Sequence, residues 1–237
     1  MAETHPTLSS PARWKGLLRA SAGLGLLMLL LIPAQMAVYL LAPPPTSVEG
    51  FFALYAANGL LGLLSLDFLY LLNNGILIFL YLSLAVLLYS EKPSLTAAGL
   101  ALGLIGVAAY YPSNPCFEML TLSSRYAGAA AAEQARLLAA GEALLAGYTG
   151  TAFNVYYVFN ALALLCLSGA MLHSRRLDRA TAVWGLLAGA LMAVPSTAGL
   201  PGKILSLLSL VPWAVFLVRI SLRFLRSART AEAQAIA

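Results

Sequence analysis

The chain has 237 residues, of which 61% are hydrophobic and only 10% are charged. Soluble domains carry about a quarter charged residues, so this composition excludes a water-soluble fold. The chain contains 14 Lys and Arg residues and a formal net charge of +5. These basic residues lie beside apolar segments, where they determine membrane topology, and we therefore expect no nucleic-acid partner.

Apolar stretches of about 20 residues recur along the whole chain, and each is long enough to cross a hydrocarbon layer of about 30 Å as a helix. They predict an all-α fold, an integral membrane helical bundle with six transmembrane helices in a single domain over residues 1–237. The predicted spans are approximately residues 20–41, 66–90, 95–111, 150–172, 179–198 and 202–222. Arg13, Lys15 and Arg19 precede the first span. Its length of about 22 residues, with no small-residue cleavage site after it, favours an uncleaved helix over a signal peptide.

Residues 51–90 have two interpretations. They cross the membrane once, with an interfacial helix at about residues 51–64, or twice, with a break at Asn73-Asn74-Gly75. A single crossing puts 11 of the 14 basic residues on one side, as the positive-inside rule expects for the cytoplasm. We therefore favour one crossing and expect both termini to be cytoplasmic.

The long polar connection at about residues 112–149 is predicted to be an extracytoplasmic helical loop. Its alanine-rich part carries Glu133, Gln134, Arg136 and Glu142 among leucines, which predicts an amphipathic helix over the bundle. This helix either fills space between the third and fourth spans or forms a mobile lid over a pocket.

Polar residues within the spans are the candidate functional residues, because a polar group in hydrocarbon costs on the order of a few kcal/mol unless it is satisfied. Two spans carry such residues within an arc of about 120° at 100° per residue. The stripe on the second span comprises Asp67, Tyr70, Asn73 and Asn74, and the stripe on the fourth comprises Asn154, Tyr157 and Asn160. The outer loop adds Asn114, Glu118 and Arg125. We expect these residues to line a ligand-binding cavity that opens to the outside, with Arg125 as the nearest counter-charge to Asp67 and Glu118.

The same residues also have structural interpretations. Asp67 follows Ser65 at a helix start, where a carboxylate favours the positive end of the helix dipole. The asparagines can form hydrogen bonds between helices. Four tyrosines can anchor the protein at the membrane interface, namely Tyr110, Tyr111, Tyr156 and Tyr157.

The sequence contains no motif of the familiar hydrolases, kinases or metalloproteases: HExxH, GxSxG and a phosphate loop with lysine are all missing. His5 and His173 form no pair suited to haem or a metal, and Cys116 and Cys166 form no CxxC site. Lys203 follows Pro201-Gly202 at the outer end of the last span, unlike a mid-helix Schiff-base lysine. We therefore expect no metal and no cofactor, and no catalytic residue can be named.

Several segments resemble the bacterial multi-pass membrane family known as domain of unknown function 4386. They are residues 64–67, 70–74, 114–120, 123–127, 150–154 and 180–182, with Gly185 following the last. The resemblance extends over about residues 50–225. It implies a protein of the bacterial inner membrane and supplies no catalytic residues.

Three hypotheses for function follow. The first is a non-enzymatic protein that holds a lipid or other small amphiphile in the outward-facing pocket, with Asp67 and Glu118 setting its polarity. The second is an accessory subunit that packs against a membrane-protein partner, or against further copies of itself, through its glycine-rich faces. These faces contain the small-xxx-small spacings Gly99 to Gly103 and Gly185 to Gly189. The third is an intramembrane enzyme or transporter that uses Asp67 and Glu118 as acid and base.

Overall fold

The computed structural model describes residues 11–236, and it describes the side chains of residues 13–230. A short 3-10 helix, Pro11–Trp14, precedes the α-helices. These are α1 Lys15–Leu41, α2 Val48–Ala57, α3 Gly59–Ser65, α4 Phe68–Leu88, α5 Pro93–Ser113, α6 Cys116–Tyr126, α7 Ala131–Tyr148, α8 Thr151–Met171, α9 Arg179–Leu191 and α10 Gly199–Ile236. The described part of the chain contains no strand, so the predicted all-α fold is confirmed.

Within residues 11–236, five helical stretches are long and apolar enough to cross a membrane. They are Lys15–Leu41, Phe68–Leu88, Pro93–Tyr126, Ala131–Met171 and Gly199–Thr230. This pattern confirms the predicted membrane helical bundle.

The segment predicted as the fifth span is a shorter helix than expected. Helix α9 has 13 residues and ends at Leu191, where the prediction continued to residue 198. At 1.5 Å per residue its length is about 20 Å, short of the hydrocarbon thickness of about 30 Å. Pro195 explains the early end, because proline lacks the N–H of a helical hydrogen bond and disfavours helical backbone at the preceding residue. The predicted number of six transmembrane helices therefore stays a prediction.

The contacts of the chain divide it into two compact units. Unit 1 contains the residues up to Leu29, residues 75–107 and the residues from Tyr157 onward, and unit 2 contains residues 30–74 and 108–156. The single domain expected from the sequence stays a prediction.

In unit 1 the glycines of the small-xxx-small spacings lie against neighbouring helices of the same chain. A Cβ atom on Gly99 would come within 2.8 Å of Leu167 in α8, and one on Gly103 within 2.6 Å of the Tyr81 ring in α4. A Cβ on Gly185 of α9 would lie 2.1 Å from the Ser168 hydroxyl oxygen. These glycines are therefore needed for close helix packing inside unit 1.

The core of unit 2 is built by α2, α6 and α7, with Leu66 from the end of α3. Its buried residues are Val48, Phe51, Phe52, Tyr55, Leu66, Cys116, Met119 and Leu137. The predicted interfacial helix is two helices, because Asn58 interrupts it and its side chain accepts a hydrogen bond from Leu61 N at 3.0 Å as the N-cap of α3. The predicted helical loop at residues 112–149 is likewise two helices, α6 and α7.

Candidate functional site

Asp67 lies at the junction between α3 and α4 in a left-handed backbone conformation, with φ of 60°. Within the described chain it is the single non-glycine residue with positive φ. Aspartate tolerates this region better than most residues, because its short side chain forms local hydrogen bonds. The conformation separates α3 from α4 and directs the Asp67 carboxylate into unit 2.

Two tyrosine hydroxyls donate hydrogen bonds to this carboxylate. Tyr39 of α1 donates to Oδ1, and Tyr148 at the end of α7 donates to Oδ2. We call Tyr39, Asp67 and Tyr148 the tyrosine–aspartate cluster. It connects α1, the α3–α4 junction and the end of α7, three parts of unit 2 that are distant in sequence.

Asn114 stabilises the backbone next to this cluster. Its buried side chain donates from Nδ2 to the Leu66 carbonyl at 2.8 Å and to the Tyr110 hydroxyl at 3.3 Å. Its Oδ1 atom accepts from the Cys116 N–H at 3.1 Å, at the first residue of α6. The Tyr55 hydroxyl donates to the Cys116 carbonyl at 2.7 Å. The start of α6 is therefore connected both to the α3–α4 junction and to α2.

The remaining polar residues of the second span lie on α4. The Asn74 amide donates to the Tyr70 carbonyl of the same helix at 2.9 Å. Asn73 and Asn74 are both buried, and the side-chain oxygen of each has no hydrogen-bond partner within the described part of the chain.

The polar residues of the fourth span are divided between the two units. Asn154 lies in unit 2, where its amide donates at 2.8 Å to the carbonyl of Gly150, the residue before α8. Tyr157 and Asn160 lie in unit 1. The Asn160 side-chain oxygen accepts a hydrogen bond from the Tyr81 hydroxyl at 2.6 Å and connects α8 to α4. A cavity common to all the predicted site residues stays a prediction.

Unit 2 contains an open groove of about 540 Å³ between α6 and α7. It is lined by Glu118, Thr121, Leu122, Ala140, Ala143 and Leu144. Of the predicted site residues, Glu118 alone belongs to this lining. Its carboxylate is the acidic group in an otherwise mostly apolar wall.

Arg125, the expected counter-charge to Asp67 and Glu118, pairs with a different carboxylate in the structure. Its guanidinium forms an ion pair with Glu133 of α7 at 3.0 Å, and Glu133 also lies 3.7 Å from Arg136. The Arg125 interaction connects the end of α6 to the beginning of α7. Its exposed position makes it worth only about 0–1 kcal/mol of stability.

Tyr39, Tyr148 and Tyr81 are not among the site residues predicted from the sequence. Tyr39 lies 28 residues before Asp67 and Tyr148 lies 81 residues after it, so no local periodicity joins them. In the sequence, Tyr39 lies near the end of an apolar span and Tyr148 lies just before Thr149-Gly150. Both positions are also typical of tyrosines that anchor a protein at the membrane interface, so they do not indicate a shared site.

In the part of the chain that the structure describes, no three His, Cys, Asp or Glu residues lie close enough together to hold a metal ion. His5 lies outside the described residues. Cys116 and Cys166 are both free thiols.

An all-helical chain with several long apolar helices is a multi-pass membrane protein, and the architecture defines that class. The chain belongs to the family described as a domain of unknown function (DUF4386), whose family model matches residues 22–224. This match confirms the resemblance noted in the sequence. No curated protein and no solved structure matches the chain.

Proposed function

We propose that this membrane protein binds a lipid or another small amphiphile in the groove between α6 and α7. The observation that supports this proposal is the composition of the groove, which is mostly apolar with a carboxylate from Glu118 in its lining. Its volume of about 540 Å³ lies in the range of about 300–1,000 Å³ that is typical of small-molecule sites.

The groove lining indicates the chemistry of the ligand. Leu122 and Leu144, with the methyl groups of Ala140 and Ala143, favour an acyl chain or another apolar body. The exposed Glu118 carboxylate accepts hydrogen bonds and pairs with a cationic headgroup. The ligand is therefore an amphiphile with a cationic or hydrogen-bond-donating head.

The surface next to the groove fits a membrane location. Phe117 precedes Glu118 on α6, and its side chain is 52% exposed. An exposed apolar ring such as that of Phe is typical of a helix face that lies at the boundary between the headgroups and the acyl chains. We therefore propose that an amphiphile enters the groove from this side.

The tyrosine–aspartate cluster has a positioning role in this proposal. The Tyr148 bond to Asp67 fixes the end of α7, and the Asn114 and Tyr55 bonds fix the beginning of α6. Both walls of the groove are therefore held at one end by hydrogen bonds, as a preorganised site requires. This assigns Asp67 a different role from the pocket-lining residue that its sequence position indicated.

We further infer that the protein resides in the bacterial inner membrane with both termini cytoplasmic, on the basis of its basic residues and the positive-inside rule. The accessory-subunit alternative was motivated by the glycine spacings. Their glycines Gly99, Gly103 and Gly185 contact residues of the same chain, so they do not favour an external partner.

Native mass spectrometry with lipid extraction, on protein isolated in native-membrane nanodiscs, tests the proposal. Glu118→Gln removes the charge of the groove, and Ala143→Trp fills it. Wild type is expected to retain a defined amphiphile that both variants lose.

Two matched controls lie on the exposed opposite face of α7, namely Glu142→Gln and Ala135→Trp. Both are expected to retain the ligand. An empty wild-type protein, or equal retention by the groove variants and the controls, contradicts the proposal.

A further inference from the structure

We propose that the C-terminal part of α10 carries a binding surface for anionic phospholipid headgroups, formed by Arg219, Arg223, Arg226 and Arg229. We call these four residues the arginine stripe. The inference rests on helix length, on exposure and on charge pairing within unit 1, and it is independent of the groove between α6 and α7.

Helix α10 is longer than a membrane crossing requires. It has 38 residues, which correspond to about 57 Å at 1.5 Å per residue. The hydrocarbon core is about 30 Å thick. The helix therefore continues past the acyl chains, and the stripe begins 20 residues after Gly199, where a helix that starts at one membrane surface reaches the other.

One face of α10 changes from apolar to basic along its length. Val218 and Leu222 are 36% and 43% exposed, and Arg226 and Arg229 are exposed on the same side of the helix. The opposite side is fully buried in unit 1 through Ile220, Phe224 and Ala228. Arg226 follows Leu222 by one turn, about 6 Å along the axis. This order matches the change from acyl chains to phosphate groups in a bilayer.

Part of the stripe is already paired within the protein. Arg219 donates to Asp178 at 2.7 Å and to the Thr181 hydroxyl at 3.0 Å, and Arg223 lies 3.5 Å from the same carboxylate. Burial raises the pKa of Asp178, but hydrogen bonds from Arg219 and Thr181 outweigh burial and lower that pKa to about 2. Asp178 is therefore anionic at neutral pH and neutralises one of the four positive charges.

The remaining charge lies toward the exposed end of the stripe. Arg226 and Arg229 are exposed guanidinium groups, which bind phosphate oxygens through paired hydrogen bonds. Because they adjoin apolar residues, the phosphates within their reach are those of the lipid headgroups. Anionic lipids of the cytoplasmic leaflet attract basic residues at such positions. The ligand class is thus an anionic phospholipid, and zwitterionic lipids are bound less well.

Native mass spectrometry in detergent tests this inference by titration with phosphatidylglycerol or with phosphatidylcholine of the same acyl chains. The measured quantity is the ratio of the two dissociation constants. Because each basic residue near an anionic surface contributes a factor of about five, Arg226→Gln with Arg229→Gln is expected to reduce the preference for phosphatidylglycerol about 25-fold. Added inorganic phosphate at millimolar concentration is expected to leave the preference unchanged.

Lys203→Gln is the control for the position of the charge, since it removes a positive charge from the other end of the same helix. It is expected to keep the wild-type preference. Arg226→Lys with Arg229→Lys preserves both charges and is expected to keep most of it. The proposal would be overturned if the double glutamine variant kept the wild-type preference or if Lys203→Gln lost as much of it. Displacement of the lipid by inorganic phosphate would also overturn it.

Discussion

Substitution of Asp67 should show separately what its hydrogen bonds and its backbone conformation contribute to stability. The carboxylate accepts from Tyr39 and Tyr148, and its residue has φ of 60°. A hydrogen bond to a charged group contributes about 1.5–3 kcal/mol. Since Asp67 is only partly buried, we take the lower value for each bond.

Asp67→Gly removes both bonds but tolerates the left-handed conformation, so the free energy of unfolding should fall by about 3 kcal/mol. Asp67→Ala removes the same bonds and adds a left-handed penalty of about 1–2 kcal/mol, part of which is offset by the lower backbone entropy of alanine in the unfolded chain. Alanine should therefore cost about 1 kcal/mol more than glycine. Asp67→Asn keeps the conformation and one oxygen acceptor, so it should cost about 1.5 kcal/mol.

Equilibrium unfolding in mixed detergent micelles measures this series, with the expected order of stability wild type, Asn, Gly, Ala. Tyr39→Phe and Tyr148→Phe serve as controls, because each removes one donor and should cost about as much as Asp67→Asn. If alanine is as stable as glycine, the conformational reasoning is wrong. If all variants match wild type, the bonds contribute nothing.

Three further predictions concern unit 1. The ordinary pKa of an aspartate is 3.8, and that of Asp178 in the folded protein is about 2. As pH falls from 3.8 toward 2, the Asp178 carboxylate should lose its stabilising effect. Asp178→Asn should therefore flatten the acid limb of a stability profile measured by thermal unfolding. Gly103→Ala should cost about 1–3 kcal/mol because its Cβ would meet the Tyr81 ring at 2.6 Å. Gly169→Ala, with nothing within 4 Å, should be neutral or stabilise by up to about 1 kcal/mol in the same thermal assay, because alanine is the better helix former. Tyr81→Phe should cost about 0.5–1.5 kcal/mol by removing the hydrogen bond to the Asn160 oxygen, and a double-mutant cycle with Asn160→Ala should show coupling; additive losses would contradict a direct bond.

The helices could be predicted because apolar length is a local property of the sequence. The sequence predicts a first span at residues 20–41, and α1 covers Lys15–Leu41. It predicts a second span at residues 66–90, and α4 covers Phe68–Leu88. The predicted fifth span, residues 179–198, is longer than α9, which ends at Leu191. The sequence stays hydrophobic past Leu191, but a helix does not tolerate Pro195 in its interior. A hydropathy pattern thus locates a helix better than it locates its end.

The candidate site was harder to predict, because its geometry depends on contacts between distant segments. A helical wheel correctly indicates which residues share a face, yet it cannot identify what lies opposite. Asn154 and Asn160 share a face of α8, but the first bonds to the start of its own helix and the second to Tyr81. The same limitation applied to Asp67, whose partners come from α1 and α7.

The structure distinguishes between the helix-dipole role of Asp67 and a role that depends on distant partners. A helix-dipole role needs only a carboxylate near a helix start, and such a carboxylate needs no positive φ and no distant donors. Asp67 has both, which means that the surrounding structure determines its conformation. Two tyrosines from α1 and α7 hold one residue whose backbone separates α3 from α4. We therefore expect substitutions at Asp67 to change ligand retention in the groove through the position of α7, and to do so less than Glu118→Gln at equal stability.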